Sequence, residues 1–551
     1  MLPANRSRKL YRSVIALSVA FTGILTLAST LFTLAHTRHV FIVISDAHFT
    51  VLAGISLIYL ATLLERGKQN ARYVAIIIYT ILTVRNFRHF AFDFTDADKY
   101  LTPTILNLAL PLLTLLVLII FGNQFKVKSE MRNASIALRR SVLMLVITFS
   151  YGVIGFQVLD IRDFHQDISP ITAAHYTVDQ FGLTTDSPVA SSKRARLFVD
   201  SLAAISLASG FYVVTSFFAP IRFRLRHNPK DLDDMRELTT KYSTTSEDFF
   251  KLWPRDKDYF YNADRSAALA YHSVRGVALV VGDPMGPKQK IKPLIERFES
   301  YCRLNDWKPA FIHVQSRYLS IYEKLGYESQ KIGEEAIVDT KLYVDTVASS
   351  KYFRHINNRF TKLNYSCEML QPPHSQNVIR ELKTISDEWL EAPGRKERGF
   401  VMGYFSEAYM QQCQIWVARD ENSKIQAFIN KVPAISQHEA NYDFLRKARD
   451  TPGNINDYIM RSFICYLNEQ GVAKLNMGLS PLSGLNAEDS GPVNSLLNLV
   501  YSKAGRFYSF QGLNKFKSKY EPEWHSRYVI YSSGVRGLTR VTNSLVKAMS
   551  R

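Results

Sequence analysis

Hydropathy divides this chain in two. The long apolar runs lie between residue 1 and about residue 221, and the remainder has the mixed composition of a water-soluble globular protein. A helix that crosses about 30 Å of hydrocarbon needs roughly 20 predominantly apolar residues. The candidate runs are Ser13 to Ala35, His48 to Leu64, Tyr73 to Val84 with its flanks, Leu101 to Phe121, Ser141 to Leu159 and Phe198 to Ile221, the third being short. The expectation is an α-helical membrane bundle of about six spans in residues 1–221. The first run is too long for the apolar region of a signal peptide, and no small-residue cleavage site precedes a polar start, so it reads as a retained span.

Basic residues in the short loops set the expected orientation. Arg6, Arg8, Lys9 and Arg12 precede the first run, Arg66, Lys68 and Arg72 follow the second, and Lys126, Lys128, Arg132, Arg139 and Arg140 follow the fourth. Arg222, Arg224 and Arg226 come after the sixth. Both termini are therefore expected on the cytoplasmic side, with the polar loop 160–196 outside. His48 and Asn107 are the polar residues of note within the runs. They would either line a lipid or ion path, or sit at an interface and bond a neighbouring helix.

Beyond residue 228 short β-rich runs alternate with amphipathic helices. GVALVVGDPMG (276–286) reads as a buried strand entering a turn, PLIERFESYCRLN (293–305) as a helix and AFIHVQ (310–315) as a strand. A similar order recurs in AFINKVPAI (427–435), ANYDFL (440–445), the helix over 454–471 and KLNMGLS (474–480). The expectation is two tandem sheet-and-helix modules, 222–350 and 366–551, joined by the basic amphipathic helix KYFRHINNRFTKLNY (351–365). The net charge of +19 suggests a polyanionic partner, either nucleic acid or an anionic lipid surface. The four cysteines match neither a zinc spacing nor a disulfide framework, as expected of reduced thiols in a cytosolic domain.

The segments KDYFYNADRSAALAYHSVRGVALVVGDPMGP, GYESQKIGEEAIVD, ISDEWLEAPGRKERGFVMGYF, NYDFLR, NMGLSPLSGL and FYSFQGLNKFKSKYEPEW occur in that order. Together they resemble the catalytic domain of the phosphatidylglycerol lysyltransferases, also called multiple peptide resistance factors, over roughly residues 245–530. The resemblance implies a tandem acetyltransferase-like (GNAT) fold, here in a short form with synthase-type membrane helices. It implies transfer of an aminoacyl group, lysyl by default, from tRNA to the glycerol hydroxyl of phosphatidylglycerol, which lowers the negative charge of the membrane and weakens cationic peptides. Aminoacyl-tRNA is then a co-substrate, with no cofactor and no metal, and the location is a bacterial inner membrane with the catalytic domain cytoplasmic. Homo-oligomerisation is compatible with this reading. Rival readings are an alanyl-specific enzyme, a different acceptor such as diacylglycerol or a cell-wall amine, and a non-catalytic lipid transporter or flippase.

For the site, the resemblance puts Asp443 and Arg446 of NYDFLR near the active centre, as holder of the α-ammonium and as contact to a phosphate or terminal nucleotide; their alternative is a strand-end ion pair. Lys517 and Lys519 would share a face if their segment is extended, with Lys515 on it too, and one of them would meet the lipid phosphate or the oxyanion. Glu334 and Glu335 alternate across a strand, so one of the two can enter a shared site, as acid/base or as structural charge. Asp283 is either functional or an ordinary turn residue before proline. Tyr409 is either pocket lining or core. Gln511 and Arg527 are assigned with these to substrate binding. Lys351, Arg354, Arg359 and Lys362 form a helical stripe for RNA phosphates, for lipid headgroups or for solvent. His313 and His355 fall in no matched motif and are read as structural.

Overall fold

The computed structural model describes residues 4–36, 54–92, 97–125, 127, 131–159, 163–164, 166–179, 192–217, 228–392, 395–433, 435, 438–481, 483–484, 510–532 and 535–550. The chain forms two compact units, Met1–Arg222 with Arg303–Asp306, and Phe223–Cys302 with Trp307–Arg551.

The first unit is helical: α1 (Ala4–His36), α2 (Gly54–Glu65), α3 (Gln69–Phe92), α4 (Ala97–Ile120), α5 (Met131–Val158), α6 (Pro170–Asp179) and α7 (Lys193–Phe217). Ile15, Val19, Leu60, Ala75, Tyr79 and Leu118 knit α1 to α4 together, while Phe156, Ala173, Phe198 and Leu202 join α5, α6 and α7. Hydroxyls bond across these contacts, Ser18 to Thr114 at 2.7 Å, Tyr79 to Thr22 at 3.0 Å and Thr148 to Ser209 at 2.9 Å. Such pairs satisfy polar groups buried between packed helices. The outer surface of α5 is apolar, with Leu143, Val146, Ile147, Ile154 and Val158 exposed. Among the described residues one stretch, Ser141–Val158, is long and apolar enough to cross a membrane; Tyr11–Leu25, Gly54–Glu65 and Ala109–Ile120 are shorter apolar helical segments. The loop 160–196, expected to be long and polar, contains the short helix α6. His48 and the side chain of Asn107 lie outside the described residues.

The second unit is built on one 11-stranded sheet, ordered β1-β2-β3-β4-β11-β5-β10-β9-β8-β7-β6. The first module supplies the helix α8 (Pro229–Tyr242), β1 (Asp258–Tyr261), β2 (Ala268–Val274), β3 (Val277–Val281), the helix α9 (Lys288–Leu304), β4 (Lys308–Gln315) and β5 (Tyr327–Asp339). The second supplies β6 (Ser366–Leu370), β7 (Gln414–Arg419), β8 (Ile425–Lys431), β9 (Glu439–Lys447), the helix Ile455–Glu469, β10 (Lys474–Pro481), the helix Phe510–Ser518 and β11 (Glu523–Ser532). In both, an antiparallel meander leads through a helical crossover to a parallel neighbour, β3 to β4 and β9 to β10. The same order of elements is thus present twice. The repeat departs from two side-by-side modules in its last strands, which are exchanged. β5 pairs with β10 of the second module and β11 with β4 of the first, so the antiparallel β5–β11 pair is the seam of the sheet.

Local chemistry accounts for the helices. Ile455, Tyr458, Ile459, Phe463, Ile464 and Leu467 recur at helical spacing and are buried, each such side chain contributing about 1.5–3 kcal/mol. Ser350 and Ser375 cap the starts of Lys351–Lys362 and Gln376–Leu390 by accepting from the backbone N–H groups of Phe353 and Val378. Helix Lys351–Lys362 buries Phe353, Ile356 and Phe360 and turns its basic residues outward.

Candidate active site

Three strands lose their regular pairing beside the seam. On β4, Tyr528 pairs with Val314 and Val529 with Ile312, which leaves His313 as an extra residue with φ of +70°. On β5 the shift falls between Gly333 and Lys331, and on β10 between Asn476 and Leu479, where Gly478 has φ of +75°. Bulges re-aim side chains, and a left-handed conformation at a non-glycine residue is retained only where the surroundings enforce it. Here the distortions turn Glu335, Arg527 and His313 toward one another.

Arg527 donates through Nη2 to Glu335 Oε2, both side chains being buried. His313 Nδ1 lies 2.7 Å from Glu247 Oε2 and 3.6 Å from Glu335 Oε1. Glu247 enters from the short helical segment Ser246–Lys251, which Glu439 of β9 holds by accepting from the Ser246 N–H at 2.7 Å and its hydroxyl at 2.6 Å. Lys517, in the last turn of Phe510–Ser518, is buried and donates to the carbonyls of Gly478 and Leu479 at 2.8 and 2.9 Å. A cavity beside these groups is lined by Glu247, Lys251, Asp283, His313, Gln315 and Arg527. Lys251 pairs with Asp248, and Asp283 Oδ2 accepts the Gln315 N–H at 3.3 Å.

Burial dominates the electrostatics of this cluster. It pushes Glu335 up to about 8 and Asp283 up to about 7, and raises Glu247. It brings His313 down to about 4 and Lys517 down to about 7. Near neutral pH the imidazole is uncharged, while several other groups stand close to the midpoint of titration.

A second centre forms around β9. Ile429 pairs with Leu445 and Lys431 with Tyr442, so Asp443 and Phe444 together oppose Asn430, whose Oδ1 accepts both of their N–H groups at 3.3 and 2.6 Å. In a regular strand residues three apart face opposite ways; this bulge brings Asp443 and Arg446 to one side. Asp443 Oδ2 accepts from the Gly403 N–H at 2.7 Å and the Tyr409 hydroxyl at 3.2 Å. A Cβ at position 403 would collide with Asp443 and Tyr409, so glycine is required for this approach. Tyr409 is fully buried, stacked on Trp253 with centroids 5.4 Å apart. Arg446 donates to Glu397 at 3.0 Å and to Ser386, with its guanidinium over the rings of Phe444 and Trp389. Burial pushes Asp443 up to about 7. The two centres share the segment 246–253, which gives Glu247 to one and Phe249 and Trp253 to the other.

Comparison with known proteins bears on this domain. The profile of the family described as "Phosphatidylglycerol lysyltransferase, C-terminal" matches residues 236–531, more than half of the chain. The chain belongs to this family. A phosphatidylglycerol lysyltransferase of Bacillus subtilis (strain 168) is 31% identical over 277 residues, covering 50% of this chain and 32% of the relative. One of Staphylococcus aureus (strain MRSA252) is 31% identical over 301 residues, covering 54% and 35%. The chain thus spans about a third of the length of these relatives. Among solved structures, that of L-PGS from Bacillus licheniformis is 28% identical with a TM-score of 0.52, covering 60% of this chain and 98% of that one. The C-terminal domain of a putative lysylphosphatidylglycerol synthetase from Agrobacterium fabrum shares the fold, with a TM-score of 0.51 at 23% identity, covering 58% and 98%.

Within this domain the residues singled out from sequence separate. Glu335, Asp283, Arg527 and Lys517 gather at the seam, and Asp443, Arg446 and Tyr409 at the second centre. Glu334 points away, accepting from Lys331 at 2.7 Å and from the Ser483 hydroxyl at 3.0 Å. The expected shared face of Lys517 and Lys519 is corrected, because their segment is helical to Ser518 and not extended. Lys519 instead bonds Asp457 at 2.9 Å and the Tyr352 hydroxyl at 3.1 Å. The basic stripe is exposed, and His355 lies on the same outer surface. The Gln511 side chain lies outside the described residues. Sequence reading missed Glu247, Lys251 and Glu397 and assigned His313 a structural place. A histidine interrupting the apolar strand AFIHVQ was the available signal.

Proposed function

We propose that the chain is a membrane-bound transferase that moves an aminoacyl group, lysyl in keeping with the names of its relatives, from tRNA to the glycerol hydroxyl of phosphatidylglycerol. The observation that carries this reading is the family match over 236–531, which contains every residue of both polar centres. Residues 1–221 form about six spans in this reading, with the catalytic domain on the cytoplasmic side of a bacterial inner membrane. The basic loops and the apolar exterior of α5 support it.

The reaction exchanges one ester for another. The lipid hydroxyl oxygen bonds to the carbonyl carbon, the bond to the ribose oxygen breaks, and the hydroxyl proton ends on the ribose. Asp443 and Lys517, both brought to about 7, suit a proton that is taken and returned near neutral pH. The Lys517 ammonium would stabilise the oxyanion, and Arg446, held by Glu397 and Ser386, would act as a positioning residue beside Asp443. The exposed basic stripe would track RNA phosphates.

Expression in a bacterial host without aminoacylated lipids, followed by mass spectrometry of the extracted lipids, tests the reading. Phosphatidylglycerol heavier by one aminoacyl residue is the expected product. A folded, membrane-inserted chain that yields no new lipid would sink it.

A further inference from the structure

Asp443 and Arg446 are both held from one short segment outside the regular strands and helices, residues 397–403. Glu397 accepts from Arg446 at 3.0 Å and from the Phe405 N–H at 3.4 Å, and further along the segment the Gly403 N–H donates to Asp443 Oδ2 at 2.7 Å. A segment without ladder partners keeps such a geometry only where something else fixes its backbone. Two anchors do so, and both lie outside the polar centre. Lys257 is buried and donates to the Phe400 carbonyl at 2.8 Å and to the Pro254 carbonyl at 3.1 Å, with Asp256 as its anionic partner. Pro254 follows Trp253, whose ring stacks on Tyr409, so one ammonium ties together both walls around Asp443. The last helix, Val535–Met549, is the other anchor. Its Leu538 and Val541 pack in one cluster with Phe400, the Met549 carbonyl accepts the Gly399 N–H at 3.3 Å, and Ser550 forms a backbone bridge with Arg398. Between the anchors Phe400 is buried with φ of +71°, a left-handed conformation that a bulky residue keeps only under constraint.

We infer that residues 397–403 are a strap that positions Asp443 and Arg446 for transfer, and that Lys257 and the end of the last helix act on the reaction through it as positioning elements. Each anchor works through the backbone of the strap. Slack in the strap carries the Gly403 N–H away from Asp443 Oδ2 and leaves that carboxyl with the Tyr409 hydroxyl. Tyr409, Cys413, Arg446 and Glu397 are the titratable groups that face it. The Gly403 bond favours the ionised carboxylate, so its loss makes Asp443 hold its proton to higher pH. A loss of stability alone does not move that titration.

This inference rests on the aminoacyl-transfer reading for the role of Asp443, and its test is separable from it. The full chain in detergent is compared with Lys257→Met and with a chain ending at Lys547, which lacks the Met549 carbonyl and Ser550. Hydrogen exchange is followed by mass spectrometry, and transfer of labelled lysine from lysyl-tRNA to phosphatidylglycerol is followed in mixed micelles. Exchange should quicken across residues 397–409, and transfer should fall by about 10- to 100-fold with KM for lysyl-tRNA within about threefold of wild type. The acidic limb of the pH profile should move to higher pH by about 0.5 or more. Quickened exchange with transfer within about twofold and the limb unmoved overturns the proposal. So does unchanged exchange across the strap in both variants. Should Lys257→Met not fold, the shortened chain, which leaves Lys257 and Asp256 paired, decides by the same criteria. A strap released as expected, in a protein whose folded wild type transfers nothing, would sink the transfer reading alone. Wild-type transfer that persists at full rate in both variants would sink the strap alone.

Discussion

Arg527 of β11 and Glu335 of β5 form a buried ion pair across the seam where the two modules exchange their final strands. Removing Arg527 takes from buried Glu335 its closest cationic partner. Arg527→Met is therefore expected to destabilise the domain by about 3–5 kcal/mol, and adding Glu335→Gln should recover part of that loss. Thermal unfolding of the two variants beside wild type checks it; a double variant no better than the single one would show that the pair is not the cause.

Asp283 gives a pH dependence with a defined sign. Its carboxyl titrates at about 7 in the folded chain against an ordinary 3.8, so the native state prefers it neutral. The stability it contributes is fully present below about pH 4 and is lost as pH rises through about 7, a swing of roughly 4 kcal/mol at most. Asp283→Asn should flatten this slope and unfold at a higher temperature than wild type at pH 8. Lys517, lowered to about 7, acts in the opposite sense and over a higher window, its contribution growing from about 7 toward 10.5.

The two lysines near the C-terminus should behave differently. Lys517→Met is expected to lower aminoacyl transfer by about 100-fold or more, the scale on which removing one transition-state donor acts. Lys519→Met should leave transfer within a few-fold of wild type and cost about 1–2 kcal/mol of stability, because Lys519 ties Asp457 and Tyr352 together. Steady-state transfer rates set against unfolding temperatures separate the two effects.

Much of the architecture was legible in the sequence because hydropathy and strand alternation are local. The apolar first part, the β3–α9–β4 and β9–helix–β10 units and the face of Lys351–Lys362 follow from residue spacing alone. Strand exchange is not local, since nothing in the sequence of β5 or β11 says which neighbour will pair with it. The candidates Asp443, Arg446, Glu335 and Lys517 came from the resemblance of their motifs and not from spacing. Their grouping was not legible, because bulges at His313, Gly478 and Asp443 break the alternation from which facing side chains are inferred. Lys517 and Lys519 were read together because an extended segment would align them, and helix formation to Ser518 parts them.

The exposed stripe Lys351, Arg354, Arg359 and Lys362 should contribute to RNA affinity through phosphate contacts. Changing all four to glutamine is expected to leave unfolding unchanged and to reduce the slope of log affinity against log salt for tRNA by about 2–3. An unchanged slope would assign the stripe to lipid headgroups or to solvent.

The central claim is tested most directly with the purified full chain, lysyl-tRNA carrying labelled lysine, and vesicles with and without phosphatidylglycerol. Label should pass into lipid only when phosphatidylglycerol is present, and Asp443→Asn, while still folded, should reduce the rate by about 100-fold or more. Transfer that proceeds equally well with Asp443→Asn, or no transfer by a folded wild-type chain, would contradict the account.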